Sequence, residues 1–332
     1  MHRRKIMSIM IRALCVGFVC YFVASRFSKD RKQSHTTPLY IIGILQTASH
    51  PALDAAREGF IEELTKTMGL NIDFIIRNGE GSIASMHTIA QQFHNNSQIG
   101  GVFAIATPAA QAMATVEQDK PIFIAAVTDP YALGLMHATT NVCGVQDMVD
   151  VKAEIDMLTQ LLPNARTVGL IYNNGEVNSV AVVDMMHAEL NKKGLTAVDF
   201  AVNSESDLPT AAQMAFLKSD VVLTPIDNMV ASSITLLASL AHQNKKPLIV
   251  SDNMLVAFGA LAARGVDYKE SGKQVAHIAW RVLNGGENPY ENPWEIPIVQ
   301  AQSDTLYINK NVIKDLGLII PSSLGSQIVW VE

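Results

Sequence analysis

From Leu39 onward, short apolar runs alternate with helix-patterned stretches, and the alternation occurs twice. The first set of runs is Tyr40 to Leu45, Ile72 to Ile76, Gly101 to Ala106 and Pro121 to Val127. The second is Val168 to Tyr172, Ala197 to Val202, Val221 to Thr224 and Leu248 to Ser251. Between the first two lies a stripe of Leu53, Ala56, Phe60, Leu64 and Met68, whose spacing of three to four puts one apolar face of a helix against a sheet. Strands alternating with helices make βαβ units and parallel sheets. The pattern therefore predicts an α/β chain of two similar lobes, each a doubly wound, mainly parallel sheet, with hinge crossovers between them.

The second set is followed by Gly259 to Ala263, a helical stripe of Val275, Ile278, Ala279, Val282 and Leu283, and a stretch holding Pro289, Pro293 and Pro297. Residues 38–146 and 256–285 are expected to form the first lobe, and residues 147–255 and 286–332 the second. Ligands of open α/β sheets bind outside the carboxyl ends of the strands. The cleft between the lobes is thus the expected site.

The formal net charge of -6 conceals an uneven distribution. Residues 1–32 contain eight of the 25 Lys and Arg and one of the 31 Asp and Glu, so the remainder carries 17 - 30 = -13. An acidic body with no basic run longer than Lys192-Lys193 or Lys245-Lys246 is a poor partner for nucleic acid, because each phosphate contact needs a cation. At the start, His2-Arg3-Arg4-Lys5 precedes the uncharged run Ala13 to Ala24, the order of an export signal, with Val23-Ala24-Ser25 offering a cleavage site. An uncleaved anchor over Ile6 to Phe22 is the alternative, opposed by Arg12. Lipidation at Cys15 or Cys20 is a third, but neither follows a fitting run of small residues. Residues 1–37 are read as signal or anchor plus tether, giving a periplasmic or otherwise extracytoplasmic protein. Cys143 is the one cysteine outside this segment, at the expected crossover, so no disulfide forms within the body.

The positions after the strands are rich in hydroxyls, amides and carboxylates. They are Gln46-Thr47-Ala48-Ser49-His50-Pro51, Thr107-Pro108-Ala109 and Thr128-Asp129-Pro130 in the first lobe. In the second they are Asn173-Asn174 through Asn178-Ser179, Pro225-Ile226-Asp227-Asn228, and Asp252-Asn253. Thr-Pro and Asp-Pro at a helix start are also ordinary N-caps. Six such loops around one cleft favour an anionic group at helix N-termini. An ammonium would need a buried anion, for which Asp129, Asp147, Asp227 and Asp252 are candidates. A ligand carrying both groups is a free amino acid.

An enzyme reading starts from Gly79-Glu80-Gly81-Ser82-Ile83-Ala84, a dinucleotide-like fingerprint. It follows the second strand rather than the first, and the acidic residue needed about 20 positions on is missing. No H-E-x-x-H, G-x-S-x-G or Walker pattern occurs, so neither catalysis, a metal nor a cofactor is expected.

The segments Ile42-Gly43-Ile44-Leu45-Gln46, His50 through Phe60, Thr107-Pro108-Ala109-Ala110-Gln111 and Val127-Thr128-Asp129-Pro130 resemble the TrpX-like substrate-binding proteins of ABC transporters. The resemblance continues through Ile171-Tyr172-Asn173, Glu176-Val177-Asn178-Ser179, Pro225 to Asn228, Gly259 to Ala262 and Gly265-Val266-Asp267-Tyr268. It implies a two-lobe type I periplasmic-binding fold and a ligand that is an aromatic or other hydrophobic amino acid. It also implies a permease with its ATPase as partner; a sensory protein of the same fold without transport is the alternative. A monomer is expected. By similarity Gln46, Thr107, Thr128, Asp129, Asn173, Asn178, Ser179, Asp227 and Asn228 face the ligand. Ser49, Ala109, Asp147 and Asp252 join them from the strand-end reading. Asp227 is expected to accept the ammonium, with Thr107 and Ser179 holding the carboxylate from opposite lobes. The sequence departs from the family pattern at Ala263-Arg264, where Thr-Tyr is usual, and at Tyr131, where a smaller residue is.

Overall fold

The computed structural model describes residues 40–68, 72–131, 134–135, 141–284, 296, 298–301, 305–324 and 328–332. The signal, anchor and tether expected over residues 1–37 lie outside them, as does most of the Pro-rich stretch. The chain runs β1 (Tyr40–Gln46), α1 (Pro51–Met68), β2 (Ile72–Asn78), α2 (Ile83–Asn95), β3 (Ile99–Ile105), α3 (Thr107–Val116), β4 (Ile122–Val127) and β5 (Val142–Gln146). It continues with α4 (Val151–Leu161), β6 (Thr167–Asn173), α5 (Val177–Lys192), β7 (Thr196–Val202), α6 (Leu208–Lys218), β8 (Val221–Thr224), α7 (Asn228–Ser232), α8 (Ile234–Asn244) and β9 (Leu248–Val250). A 3-10 turn (Asn253–Phe258), β10 (Ala262–Arg264), α9 (Tyr268–Asn284), β11 (Val299–Gln300), β12 (Leu306–Asn309), α10 (Lys310–Leu316) and β13 (Ile328–Val331) follow.

The strands form two sheets, ordered β11-β5-β4-β3-β1-β2 and β13-β12-β10-β9-β8-β6-β7. Every pairing in the first is parallel. In the second only β10 and β12 run antiparallel, with Ala262 opposite Ile308 and Arg264 opposite Leu306. Strand order reverses at β1/β3 in one sheet and at β6/β8 in the other. These are the two points where connections leave in opposite directions and open a crevice at the strand ends.

The expected helix stripes are the buried ones. Leu53, Ala56, Phe60 and Leu64 of α1 are 0–2% exposed, and Val275 and Ala279 of α9 are fully buried against the same core. The two helices touch backbone to backbone. A Cβ added at Gly59 would collide with the Lys269 carbonyl oxygen, and one added at Gly272 with that of Ala56. The stacked rings of Phe60 and Phe103, 4.1 Å between centroids, tie α1 to the sheet beneath it.

Three features differ from expectation. Val142–Gln146 is a full sheet strand rather than the start of a crossover, so Cys143 lies buried within the sheet, where burial pushes its thiol up to about 12. Ala262–Arg264 pairs with β9 and β12, which keeps residues 256–264 with the second lobe instead of the first. Val299–Gln300 pairs with β5, so the chain crosses back after residue 300 and not at 286. Strands of two or three residues carry too few side chains for periodicity to say which sheet they join.

Candidate functional site

The carboxyl ends of β1, β3, β4, β6, β8 and β9 converge on one cleft between the lobes. Its wider part, about 560 Å³, is lined from the first lobe by Thr47, Ala48, Ser49, Met86 and Pro108, and from the second by Asn173, Glu176, Asn228 and Met229. A smaller, tighter part lies between His50, Leu53 and Tyr268 on one side and Asn178, Thr224 and Asp252 on the other. The volume falls in the range of small-molecule sites. His50 crosses the gap: its Nε2 lies 3.3 Å from Asn228 Oδ1, and both residues are buried.

In the first lobe, hydrogen bonds fix the loop after β1. Gln46 donates from Nε2 to the Ala48 carbonyl (2.7 Å) and to Asp54 Oδ1 (2.9 Å), and its Oε1 accepts from Arg57 (2.5 Å). The Thr47 hydroxyl donates to the Ile105 carbonyl (3.0 Å) and accepts the Ala109 N–H (3.2 Å), joining β1 to the start of α3. Gln46 and the Ala109 backbone are therefore supports of the loop. The neighbouring Thr107 hydroxyl is buried and has no partner within the protein. Ala106, which precedes it, has φ 75° and ψ 160°, a conformation that glycine adopts readily and other residues only under strain. Ser49 is exposed at the cleft rim and accepts from Asn78 Nδ2 (3.0 Å). Thr128 is buried behind β4, and Asp129 beside it is half-buried.

In the second lobe a carboxylate sits at the centre of the loops. Asp227 Oδ2 accepts from the Asn173 N–H and the Ser179 hydroxyl, both at 2.6 Å, while Oδ1 caps α7 through the Val230 N–H (2.9 Å). Burial, then the neighbouring Glu176 charge, pushes Asp227 up to about 7. Ser179 spends its single hydroxyl hydrogen inside the lobe, on Asp227 Oδ2 and the Ile226 carbonyl, and each Asp227 oxygen accepts from at least one donor of the same lobe. Asn173 holds the same loop, its Oδ1 accepting from the Gly175 N–H (2.8 Å).

Glu176 was not singled out from the sequence. It accepts from the Asn228 N–H (3.1 Å), Asn228 Nδ2 (2.6 Å) and the Met229 N–H (3.1 Å), and so positions the residue that His50 reaches. Its signal in the sequence was slight: an acid directly before a helix start, 52 residues from the helix it caps. Met229, half-buried on the cleft wall of the second lobe, carried no sequence signal either; Met86 lies beneath the opposite wall as part of the first-lobe core.

Three further carboxyl groups lie deep near the crossovers. Asp147 is fully buried and pushed up to about 6 by burial; Tyr268 donates to its Oδ2 at 2.9 Å, joining the first crossover to the second. Asp252 caps the following turn through the Met254 N–H (2.9 Å), and burial, with the Asp147 charge, pushes it up to about 7. Glu154 bonds Ser251 at 2.9 Å and is pushed up to about 8 by burial. The dinucleotide reading finds no support, because the Gly79-to-Ala84 turn follows β2, the edge strand, away from the switch point. Among the described residues no His, Cys, Asp and Glu cluster is arranged to hold a metal ion, and no helix is long and apolar enough to cross a membrane.

Two parallel-sheet lobes, hinged by chain crossovers and lined at both switch points by a buried polar cleft, define a two-lobed ligand-binding protein of the type I periplasmic-binding fold. The chain belongs to the ABC transporter substrate binding protein family, whose model matches residues 41–328. It is 32% identical over 301 residues to a tyrosine-binding protein of Clostridioides difficile, covering 89% of this chain and 86% of that one. A Streptococcus pneumoniae domain solved in complex with L-Trp superposes with a TM-score of 0.82 at 31% identity, covering 88% and 99% of the two chains. A ligand-free, open substrate-binding protein with adhesive properties from Clostridium difficile gives 0.64 at 34% identity, covering 88% and 100%.

Proposed function

We propose that the protein is the extracytoplasmic receptor of an importer, that it captures a free aromatic amino acid between its lobes, and that it presents the closed form to a permease driven by an ATPase. The observation that carries the reading is the cleft itself. Met229 lines it from the second lobe, half-buried, and thioether sulfur packs favourably against aromatic rings. The ligand carboxylate is assigned to the Thr107 hydroxyl at the positive end of α3, where a buried donor has no other partner. The protein binds its ligand without converting it. The tyrosine-binding relative and the tryptophan-bound structure support an aromatic ligand, and the family supports the transporter partner.

A thermal-shift screen of the standard amino acids on the full chain tests this. A ligand present at about 100 times its dissociation constant adds about 2.7 kcal/mol of stability. Tyrosine, tryptophan or phenylalanine is expected to raise the transition most. No response to any amino acid, with a response to a sugar, would overturn the reading.

A further inference from the structure

The tighter part of the cleft has room for a single water-sized group; its walls are largely apolar, and the polar side chains among them are His50, Asn178, Thr224, Asp227, Asn228, Asp252 and Tyr268. The hydrogen-bond pattern fixes which atoms accept. Glu176 Oε2 takes the Asn228 backbone N–H, so it is an acceptor, and the Asn228 amide must turn Nδ2 toward it at 2.6 Å. Asn228 Oδ1 then faces His50, whose Nε2 must carry the hydrogen. A neutral His50 consequently has its lone pair on Nδ1, a buried atom with no partner in the protein. Burial lowers the His50 pKa, which favours that neutral form. Asn178 donates from Nδ2 to the Ile226 carbonyl at 3.0 Å, leaving its buried Oδ1 as a second acceptor without a partner. Asp252 adds a carboxyl group to the same walls.

We propose that this cell holds the ligand's α-ammonium, with His50 Nδ1 from the first lobe and Asn178 Oδ1 and the Asp252 carboxylate from the second as its three acceptors. An ammonium is close to a water in size, offers three N–H donors and no acceptor, and brings the charge that a buried carboxylate needs. A group gripped from both lobes is bound better in the closed arrangement than in the open one, so the amine itself biases the hinge toward closure. The assignment rests on the amino-acid reading above and locates the end of the ligand that every amino acid shares.

Calorimetry on the full chain, comparing L-tyrosine and L-tryptophan with 3-(4-hydroxyphenyl)propionate and indole-3-propionate, isolates the amine. The wild type is expected to prefer the amino acid by about 100-fold or more, the scale of lost charge-assisted hydrogen bonds. His50→Gln keeps an N–H toward Asn228 but no acceptor at the Nδ1 position. It is expected to lose about tenfold or more of that preference, read as the ratio of the two affinities so that any general weakening of binding cancels. His50→Asn places an amide oxygen at the Nδ1 position and is expected to retain the preference. Asp252→Asn keeps the cap on Met254, removes the charge and should lose the preference as well; it carries the test should a His50 variant not fold. An undiminished preference in both His50→Gln and Asp252→Asn overturns the assignment and leaves the cell as a site for a bound water. A wild type that binds tyrosine or tryptophan no better than the propionates overturns it too. A wild type that binds no amino acid overturns the functional reading and this assignment together.

Discussion

Thr47 and Thr107 stand on either side of one helix start, and replacing each by valine separates binding from stability. Valine keeps the shape and removes the hydroxyl. Thr107 is 1% exposed and its buried hydroxyl has no partner within the protein, so the folded state loses no bond with it. If it donates to the ligand carboxylate, Thr107→Val weakens binding by about 1.5–3 kcal/mol, roughly 10- to 150-fold in the dissociation constant. At Thr47 the balance is reversed. Its hydroxyl accepts the buried Ala109 N–H and donates to the Ile105 carbonyl. The carbonyl keeps the Thr47 N–H at 3.2 Å, but the Ala109 N–H is left without an acceptor, which costs about 1–3 kcal/mol of stability. Calorimetry with the best ligand from the screen and thermal unfolding of the unliganded protein read the two effects separately. Thr107→Val should unfold like the wild type and bind weakly, whereas Thr47→Val should unfold a few degrees lower. Wild-type affinity in Thr107→Val would show that the carboxylate lies elsewhere and that the unpartnered hydroxyl is not the signature of a ligand site.

Two other outcomes test the buried groups and the packing. The folded pKa of Glu154, about 8, lies above its ordinary 4.5, so its contribution to stability is complete below about pH 4.5 and is lost as pH rises through about 8. Glu154→Gln, which stays neutral, should therefore show a flatter decline of Tm between pH 6 and pH 9 than the wild type, and parallel curves would refute the linkage. Gly272→Ala places a methyl group against the Ala56 carbonyl oxygen and should cost about 2 kcal/mol or more, because helix backbone cannot yield as a side-chain end can. Gly100→Ala, with open space around it, should leave the urea midpoint unchanged; equal effects in the two variants would show that α1 and α9 are not in backbone contact.

The sequence by itself determined the two sheets, the helix faces that cover them and the loops that meet at the cleft. Those features depend on neighbours within a few residues: an apolar, β-branched run as short as Val221 to Thr224, ended by Pro225, reads as a buried strand, and Leu53, Ala56, Phe60 and Leu64 share a face when the segment is helical. The rule that ligands lie at strand ends then named loops around residues 46, 107, 173 and 227. Tertiary structure decided the rest. How much of Asp227 is available to a ligand depends on Asn173 and Ser179, 54 and 48 residues away, whose bonds occupy its Oδ2. Whether His50 takes part depends on Asn228, 178 residues away and held in turn by Glu176. Periodicity reports which side of an element is apolar, but a polar side chain's role is set by whether some distant atom has already taken its hydrogen bonds. Only the folded chain brings those atoms together.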